Sequence, residues 1–272
     1  MIQRKWNEGK SICVGLDSDP DKIPAIIRSG QDYGVGLFNF AIIDATYDLV
    51  CAYKPNLAFY ESLGEFGPIA LKATINRIRF MDPELPVIGD MKAGDIGNTN
   101  WKYVRKAFEY FGFDAITINP YPGREALQPF LDQKNKGIFV LCRTSNEGSD
   151  EFQGRNVIVL DRHVPLYRYV AHRVANFWNQ NGNCGLVVGA TCPEELSEVR
   201  MIAGDNMPIL IPGIGEQGGD LKAVLKAGRN SDGQGMIINS SRKIIFASSG
   251  PDFAEAARKE VIKLLKAVNQ CF

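Results

Sequence analysis

The sequence has no excess charge of either sign and no long apolar run. Its 31 lysine and arginine residues balance 31 aspartate and glutamate residues. This balance excludes a polybasic nucleic-acid binder, because such proteins gain their affinity from surplus cations. No stretch approaches the roughly 18 consecutive apolar residues that a membrane span needs. Apolar residues nevertheless make up 45% of the chain, too many for a disordered protein. We therefore expect a globular protein that binds neither nucleic acid nor a membrane.

Patterns for metal clusters and disulfide frameworks are also missing. The six cysteines are scattered without a C-x-x-C pair, and there are only two histidines. This spacing argues against a zinc cluster, and a disulfide framework is not expected in a chain of 272 residues. The first ten residues are polar and contain no apolar signal core, so we expect no secretory peptide. Together these features predict a reduced cytoplasmic protein.

Eight short apolar runs recur along the chain, with stretches of helical spacing between them. The runs are apolar throughout, as strands buried on both faces of a parallel sheet should be. Eight strands alternating with helices predict an α/β protein, a (β/α)₈ TIM barrel forming a single domain over residues 1–272. An open doubly wound sheet is the alternative. The predicted strands are Ser11–Leu16, Leu49–Tyr53, Val87–Gly89, Ala115–Ile118, Ile138–Leu141, Leu186–Val188, Ile209–Ile211 and Met236–Ile238.

Helical spacing is clearest over residues 253–268 and over a segment around 163–178. The second segment contains both histidines, which favours structural or exposed positions for them. A capping box at Thr191 and Glu194 predicts the start of another helix. The longest predicted loop covers residues 145–156, and loops of this length often act as lids or binding loops.

The densest cluster of charge follows the third apolar run and comprises Asp90, Lys92 and Asp95. Functional groups of a (β/α)₈ barrel lie at the C-terminal ends of its strands. Because residues two apart on an extended strand point to the same side, Asp90 and Lys92 would lie together at the base of a pocket. A neighbouring carboxylate would keep Lys92 protonated and able to give a proton to carbon. The alternative is an ion pair on a surface turn.

Lys54 follows the second apolar run and can reach the same end of the barrel. There it would extend the cluster into an alternating lysine and aspartate array. The alternative is a strand-end lysine whose aliphatic stem lies along apolar surface, which is common.

Two further loops predict a phosphorylated ligand. Residues 211–220 are rich in glycine and precede a helix, so backbone N–H groups and the helix dipole can hold an anion. Ser241 and Arg242 follow the eighth run, and arginine binds phosphate through two parallel hydrogen bonds. Loops after the seventh and eighth strands bind phosphate in many such barrels.

The same glycine-rich loop also spells G-x-G-x-x-G, with Gly213, Gly215 and Gly218. Only one strand remains after this motif, and that strand ends in Asn239 instead of the acidic residue that a ribose hydroxyl needs. We therefore do not interpret it as a dinucleotide site.

These motifs together are similar to a known family. The chain resembles orotidine 5′-phosphate decarboxylase over nearly its whole length, and more closely the longer branch of bacteria and apicomplexan parasites. D-x-K-x-x-D-I-x-N-T joined to a P-G-I-G-x-Q-G-G loop is a specific combination. The matching stretches are Val14–Asp17, Tyr53–Glu61, Asp90–Thr99, Arg143–Asn146, Pro212–Gly219 and Ser241–Arg242.

The resemblance implies a barrel without cofactor or metal that forms homodimers with shared active sites. It implies conversion of orotidine 5′-phosphate to uridine 5′-phosphate and carbon dioxide in de novo pyrimidine biosynthesis. Lys92 would be the proton donor, Asp90 would lie against the substrate carboxylate, and Lys54 would complete the charge array and contact the ribose. Asp95 would be catalytic in the partner's site.

The resemblance also implies a substrate-binding set. Within it, Asp17 would bind the ribose and Ser145 the pyrimidine. Gln217 and Arg242 would hold the phosphate together with the backbone N–H of Gly215, and Thr99 would reach the partner's site. The full set is Asp17, Asn56, Ile96, Thr99, Ser145, Pro212, Gly215, Gln217, Ser241 and Arg242.

The chain departs from the family pattern at two positions and leaves two rival functions open. Glu147 stands where proline is expected, and Ser241 where many members have glycine. One rival is a metal-dependent barrel of the hexulose-phosphate synthase type, although Lys54 would be a poor neighbour for a cation. The other is a non-catalytic nucleotide-binding barrel, which would not need to crowd like charges.

Overall fold

A computed structural model describes residues 1–28, 34–214 and 220–271 of the chain. Eight parallel strands form one sheet in the order β2, β1, β10, β9, β8, β5, β4, β3, and a small antiparallel hairpin contains two more. The strands are β1 Ile12–Gly15, β2 Ala52–Lys54, β3 Ile88–Ala93, β4 Ala115–Ile118, β5 Gly137–Arg143, β6 Asn156–Val159, β7 Arg162–Pro165, β8 Cys184–Val188, β9 Ile209–Pro212 and β10 Met236–Ser240.

Isolated bridges join Tyr53 to Val87 and Asn56 to Asp90, next to the two ends of the strand order. The eight strands therefore form a nearly closed barrel, with helices in the connections between them. All eight predicted strands and the predicted TIM barrel are confirmed. The short apolar runs predicted the strands correctly because each barrel strand is covered on both faces. Its side chains are therefore apolar without alternation.

Eleven helices are described in residues 1–28, 34–214 and 220–271. Short 3₁₀ segments occupy Pro20–Lys22 and Glu147–Glu151, and α5 and α7 each continue into a π-helical segment, Arg105–Phe111 and Val174–Trp178. None of these helices is both long and apolar enough to cross a membrane. The α-helices are α1 Ile2–Asn7, α2 Val35–Thr46, α3 Leu57–Glu61, α4 Phe66–Met81, α5 Gly97–Val104, α6 Arg124–Leu131, α7 Leu166–Arg173, α8 Pro193–Ala203, α9 Leu221–Gly228, α10 Arg242–Ile245 and α11 Phe253–Asn269.

The chain divides into two compact units. The first comprises Met1–Met91, Ala107–Asp114 and Asn239–Phe272. In it, β1 pairs with β2 in parallel register, and α2 packs against both α4 and α11. The ring of Phe38 stacks on two other aromatic rings with centroids 5.4 Å away, those of Phe246 and Phe253.

The second unit comprises Lys92–Lys106 and Ala115–Ile238. In it, β5 lies between β4 and β8, and β8 pairs with β9. The strand side chains are almost fully buried; Ile116, Val140 and Leu186, for example, have no exposed surface. Helix pairs α5 with α6, α7 with α8 and α8 with α9 pack beside these strands.

The structure corrects three local predictions. The hairpin β6–β7 follows the predicted loop 145–156 and was not foreseen. Consequently His163 lies on β7 and not in a helix, whereas His172 is in α7 as expected. The predicted capping box is wrong as well. The N-cap of α8 is Cys192, and the hydroxyl of Thr191 donates instead to the carbonyl of Ser145 at 3.4 Å.

Candidate active site

The first unit brings a lysine and an aspartate together at the ends of neighbouring strands. Lys54 is the last residue of β2, and its Nζ donates to Oδ2 of Asp90 on β3 at 2.7 Å. Only 3% of Lys54 and 9% of Asp90 are exposed. A buried pair of this kind is held by strand geometry, so the alternative of a strand-end lysine lying along apolar surface does not apply.

The charge state of Lys54 follows from its neighbours. Burial lowers the pKa of Lys54, but the charges of Asp90 and Asp17 and the hydrogen bond to Asp90 raise it more. The pKa of Lys54 therefore lies above its ordinary value, and the ammonium stays protonated at neutral pH. The site contains a buried cation that is hydrogen-bonded to Asp90 and further stabilised by the charge of Asp17.

A buried polar network supports the end of β1, where half-buried Asp17 lies. Ser18 donates to Oδ1 of Asn39 at 2.5 Å. The amide of Asn39 donates to the hydroxyls of Tyr60 at 3.0 Å and Thr74 at 2.9 Å. Tyr60 in turn donates to the carbonyl of Leu16 at 3.1 Å. Because buried polar groups need such partners, the network fixes the chain on both sides of Asp17.

The side chains of two further candidates in this unit, Asn56 and Ser241, form hydrogen bonds to the backbone. Oδ1 of Asn56 accepts from the N–H of Ala58 at 3.2 Å and caps α3. Ser241 is buried, and its hydroxyl donates to the carbonyl of Gly15 at 3.0 Å. Ser241 is also the N-cap residue of α10, which begins with the exposed side chain of Arg242.

In the second unit, Lys92 has an unusual backbone. Its φ is +47°, in the left-handed region that non-glycine residues rarely adopt. β3 continues to Ala93, but the positive φ interrupts its regular extended geometry at Lys92, and our expectation that Asp90 and Lys92 share one side rested on that geometry. The N–H of Lys92 donates to Oγ1 of Thr117 on β4 at 2.9 Å. Strained backbone held by its surroundings is typical of functional positions.

The turn after β3 is held by one buried amide. Asn100 has no exposed surface. It accepts from the N–H of Asp95 at 3.1 Å and donates to the carbonyl of Asp95 at 2.6 Å and to that of Ala126 at 2.7 Å. The Asp95 carboxylate accepts from the N–H of Ile96 at 2.7 Å. Asp95 is half-buried, whereas Ile96 and Thr99 are exposed.

The loop after β5 is held by a buried arginine and a glutamine. Arg143 donates to Ser149 at 2.7 Å and to Asp150 at 2.8 Å. Gln153 accepts from the N–H of Thr144 at 2.7 Å and donates to its hydroxyl at 2.8 Å. Both interactions fix the backbone around Ser145, which is half-buried.

Glu147 occupies the first position of the 3₁₀ helix that follows Ser145. Proline is favoured at the first position of a helix, because that N–H has no intrahelical partner. The backbone at position 147 can therefore accommodate the proline of the family pattern as well as the glutamate of this chain.

The loop after β9 is described only in part. Half-buried Pro212 ends β9, and its carbonyl accepts from the N–H of Ala190 at 2.9 Å. Gly215 and Gln217 lie outside the described residues, so their assignment to the phosphate remains a prediction.

Neither a metal-binding cluster nor a reactive thiol on β1 is found in the described part of the chain. Within residues 1–28, 34–214 and 220–271, no cluster of three or more His, Cys, Asp and Glu side chains could hold a metal ion. Burial raises the pKa of Cys13 on β1 to about 12, which keeps that thiol protonated.

Sequence reasoning missed the residues that hold the site residues in place. Asn39, Asn100, Thr117 and Gln153 bear no charge and belong to no motif. Asn39 alone offered a signal, because it is a single amide within the otherwise apolar start of α2. The other three act through contacts that no motif announces: Thr117 bonds to Lys92 from the next strand, Asn100 bridges Asp95 and Ala126, and Gln153 bonds back to Thr144.

Known proteins resemble the chain throughout its length. The model of the orotidine 5′-phosphate decarboxylase / HUMPS family matches residues 10–259. An orotidine 5′-phosphate decarboxylase of Cellvibrio japonicus is 44% identical over 98% of this chain and 96% of its own. One from Ralstonia pickettii is 47% identical over 99% and 97%.

A solved structure agrees with these matches. OMP decarboxylase of Leishmania donovani is 38% identical and superposes with a TM-score of 0.81, covering 98% of this chain and 96% of its own. A family match over most of the chain, relatives above 40% identity and a similar solved fold lead to one conclusion. The chain belongs to the orotidine 5′-phosphate decarboxylase / HUMPS family.

Proposed function

We propose that this protein is a carboxy-lyase that converts orotidine 5′-phosphate to uridine 5′-phosphate and carbon dioxide. The observation that carries the proposal is the buried Lys54–Asp90 pair at the ends of β2 and β3. It presents a fixed cation and a carboxylate where barrel enzymes bind substrate. Relatives named orotidine 5′-phosphate decarboxylase cover nearly the whole chain, which supports the same reaction.

The proposed chemistry needs a group that stabilises negative charge on carbon. The bond between carbon 6 of the pyrimidine and the carboxylate carbon breaks, carbon dioxide leaves, and the electron pair remains on carbon 6. Lys92 stabilises that charge as an ammonium and then transfers its proton to carbon 6. A preorganised cation lowers the barrier because it acts where charge develops.

The aspartates act on the substrate in the ground state. Asp90 lies against the departing carboxylate, and repulsion between the two is relieved when carbon dioxide forms. Lys54 holds the Asp90 carboxylate in place through its hydrogen bond at 2.7 Å. Asp17 binds the ribose.

The phosphate group contributes binding energy although it lies far from the carbon that reacts. Arg242, at the start of α10, and Gln217 contact the phosphate, together with the N–H of Gly215. Ser145 contacts the pyrimidine. Such remote contacts are used to orient the substrate and exclude water from it.

We further propose a homodimer in which Asp95 and Thr99 enter the partner's site. The surface around them suits an interface, since Ile96 is 69% exposed and Trp101 46% exposed. Burial of such apolar side chains is the main driving force for association. The single domain over residues 1–272 and a cytoplasmic location remain predictions of the sequence.

One experiment separates this proposal from its two rivals. The purified protein is mixed with orotidine 5′-phosphate in excess chelator, and loss of the orotate absorbance is followed with product analysis. Rapid loss with uridine 5′-phosphate formed supports a metal-independent decarboxylase. Activity that appears only with Mg²⁺ and a sugar phosphate would move the chain to the hexulose-phosphate synthase type. Tight nucleotide binding without either activity would leave a binding barrel.

A further inference from the structure

A second cavity lies in the second unit, beside the ends of β4 and β5 and against α7. Its volume is about 670 Å³, within the range of small-molecule sites. Leu141 of β5, Val170 of α7 and Trp178 supply much of its apolar wall. None of the described residues proposed for catalysis or substrate binding lines it. The cavity is therefore separate from the described part of the candidate active site.

The lining of this cavity is positively charged. Arg124 at the start of α6 and Arg173 at the end of α7 both line it, and no aspartate or glutamate does. Neither arginine forms an ion pair within the described parts of the chain. Arg173 instead lies over the ring of Phe177, 4.2 Å from its centroid. Two guanidinium groups without a carboxylate partner make the cavity suited to an anion.

Unused hydrogen-bond donors also belong to this lining. Trp178 is only 6% exposed. Its indole Nε1 and the Nε of Arg124 are buried and have no hydrogen-bond partner among the residues described. Buried N–H groups are normally paired, because an unpaired one loses its bonds to water without replacement. Gln153, which also lines the cavity, already uses its amide to hold Thr144.

We propose that this cavity is a binding site for a small aromatic anion. The aromatic part of such a ligand would be buried among Leu141, Val170 and Trp178. Its carboxylate, sulfonate or phosphate would accept from Arg124 and Arg173. The proposal does not depend on the reaction that the protein catalyses, because no described substrate or catalytic residue takes part.

The test uses 8-anilinonaphthalene-1-sulfonate, an aromatic anion whose fluorescence rises on transfer from water to an apolar site. We expect saturable binding of one probe per chain to the folded full-length protein. Arg124→Gln and Arg173→Gln should each weaken binding about tenfold or more, because a charge-assisted hydrogen bond is lost. Arg162→Gln is the matched control, because Arg162 lies on β7 and is exposed outside the cavity. It should bind as the wild type does.

Three outcomes would overturn the proposal, provided that the variants are folded. Near-ultraviolet circular dichroism checks that each variant is folded. If one arginine variant does not fold, the other still tests the proposal. Saturating uridine 5′-phosphate should leave the probe bound; displacement would place the probe in the active site. Equal affinity in wild type and both arginine variants would show that the cavity is not the site. Binding that weakens as protein concentration rises would show that a second copy of the chain covers the cavity.

Discussion

Ser241 occupies the space that a side chain at Gly15 would need. A Cβ built on Gly15 would lie 2.7 Å from the Cβ of Ser241 and 2.9 Å from its Oγ. The hydroxyl of Ser241 uses this close approach to donate to the carbonyl of Gly15 at 3.0 Å. Ser241 stands where many family members have glycine. Its side chain fits there because Gly15, the residue that faces it on β1, has no side chain.

The first prediction follows from this fit. Gly15→Ala should destabilise the protein by about 1–3 kcal/mol, the usual cost of overpacking a buried site. The added Ser241→Gly change should restore most of the loss, as measured by urea unfolding. Gly148→Ala is the control, because the nearest atom to its added Cβ would be Nδ2 of Asn146 at 3.7 Å. Additive effects of the two substitutions would contradict the proposed contact.

The second prediction concerns the proton donor. Lys92→Ala should lower kcat by roughly 10³-fold or more, since both charge stabilisation and proton transfer are lost. The exposed Lys102 of α5 provides the control, and Lys102→Ala should retain full turnover. Circular dichroism should show an unchanged fold in both. Near-normal turnover of Lys92→Ala would exclude it as the donor.

The third prediction concerns Thr117 as a positioning residue for Lys92. Thr117→Val removes the Oγ1 that accepts from the N–H of Lys92 at 2.9 Å. We expect kcat to fall about tenfold, because a lost hydrogen bond of about 1.4 kcal/mol corresponds to that factor. KM should change little, and Thr117→Ser should keep the rate. If Ser and Val variants have the same kcat, the hydroxyl does not position Lys92.

The fourth prediction tests the buried Lys54–Asp90 pair. Asp90→Asn leaves the Lys54 ammonium without its carboxylate and should destabilise the protein by about 3–5 kcal/mol in urea unfolding. Replacing both residues, as in Lys54→Met with Asp90→Leu, should recover much of that stability while turnover stays absent. Glu255→Gln is the control. It breaks an exposed ion pair with Lys259, and its effect on the free energy of unfolding should be too small to measure. An equally small effect of Asp90→Asn would show that the pair is hydrated.

The fifth prediction is a pH dependence at the contact between α11 and the segment that follows α2. Arg258 donates to both carboxylate oxygens of Asp48, at 2.6 and 2.8 Å. This hydrogen bonding lowers the pKa of Asp48 below its ordinary 3.8. The stabilisation is therefore complete above about pH 4 and is lost as pH falls through the lower, folded-state pKa. Asp48→Asn should be less stable than wild type at pH 7, and the difference should shrink below pH 4. A difference independent of pH would contradict this.

The amino-acid sequence alone determined the class of fold and the identity of the charged residues. Eight apolar runs became eight barrel strands because strands covered on both faces carry a purely local signal. Asp90, Lys92 and Asp95 were found because charge directly after an apolar strand stands out in one short segment. The motifs that mark the family are also contiguous in sequence.

Only the tertiary structure decided how these residues are held. The left-handed backbone of Lys92 depends on β4, the Asp95 turn depends on Asn100, and Ser241 depends on Gly15. In each contact the supporting residue (Thr117 of β4, Asn100 or Gly15) is unremarkable in the sequence, because packing and not local preference selects it. The hairpin β6–β7 escaped detection for a related reason, since two strands of four residues each carry too little pattern to be distinguished from a loop.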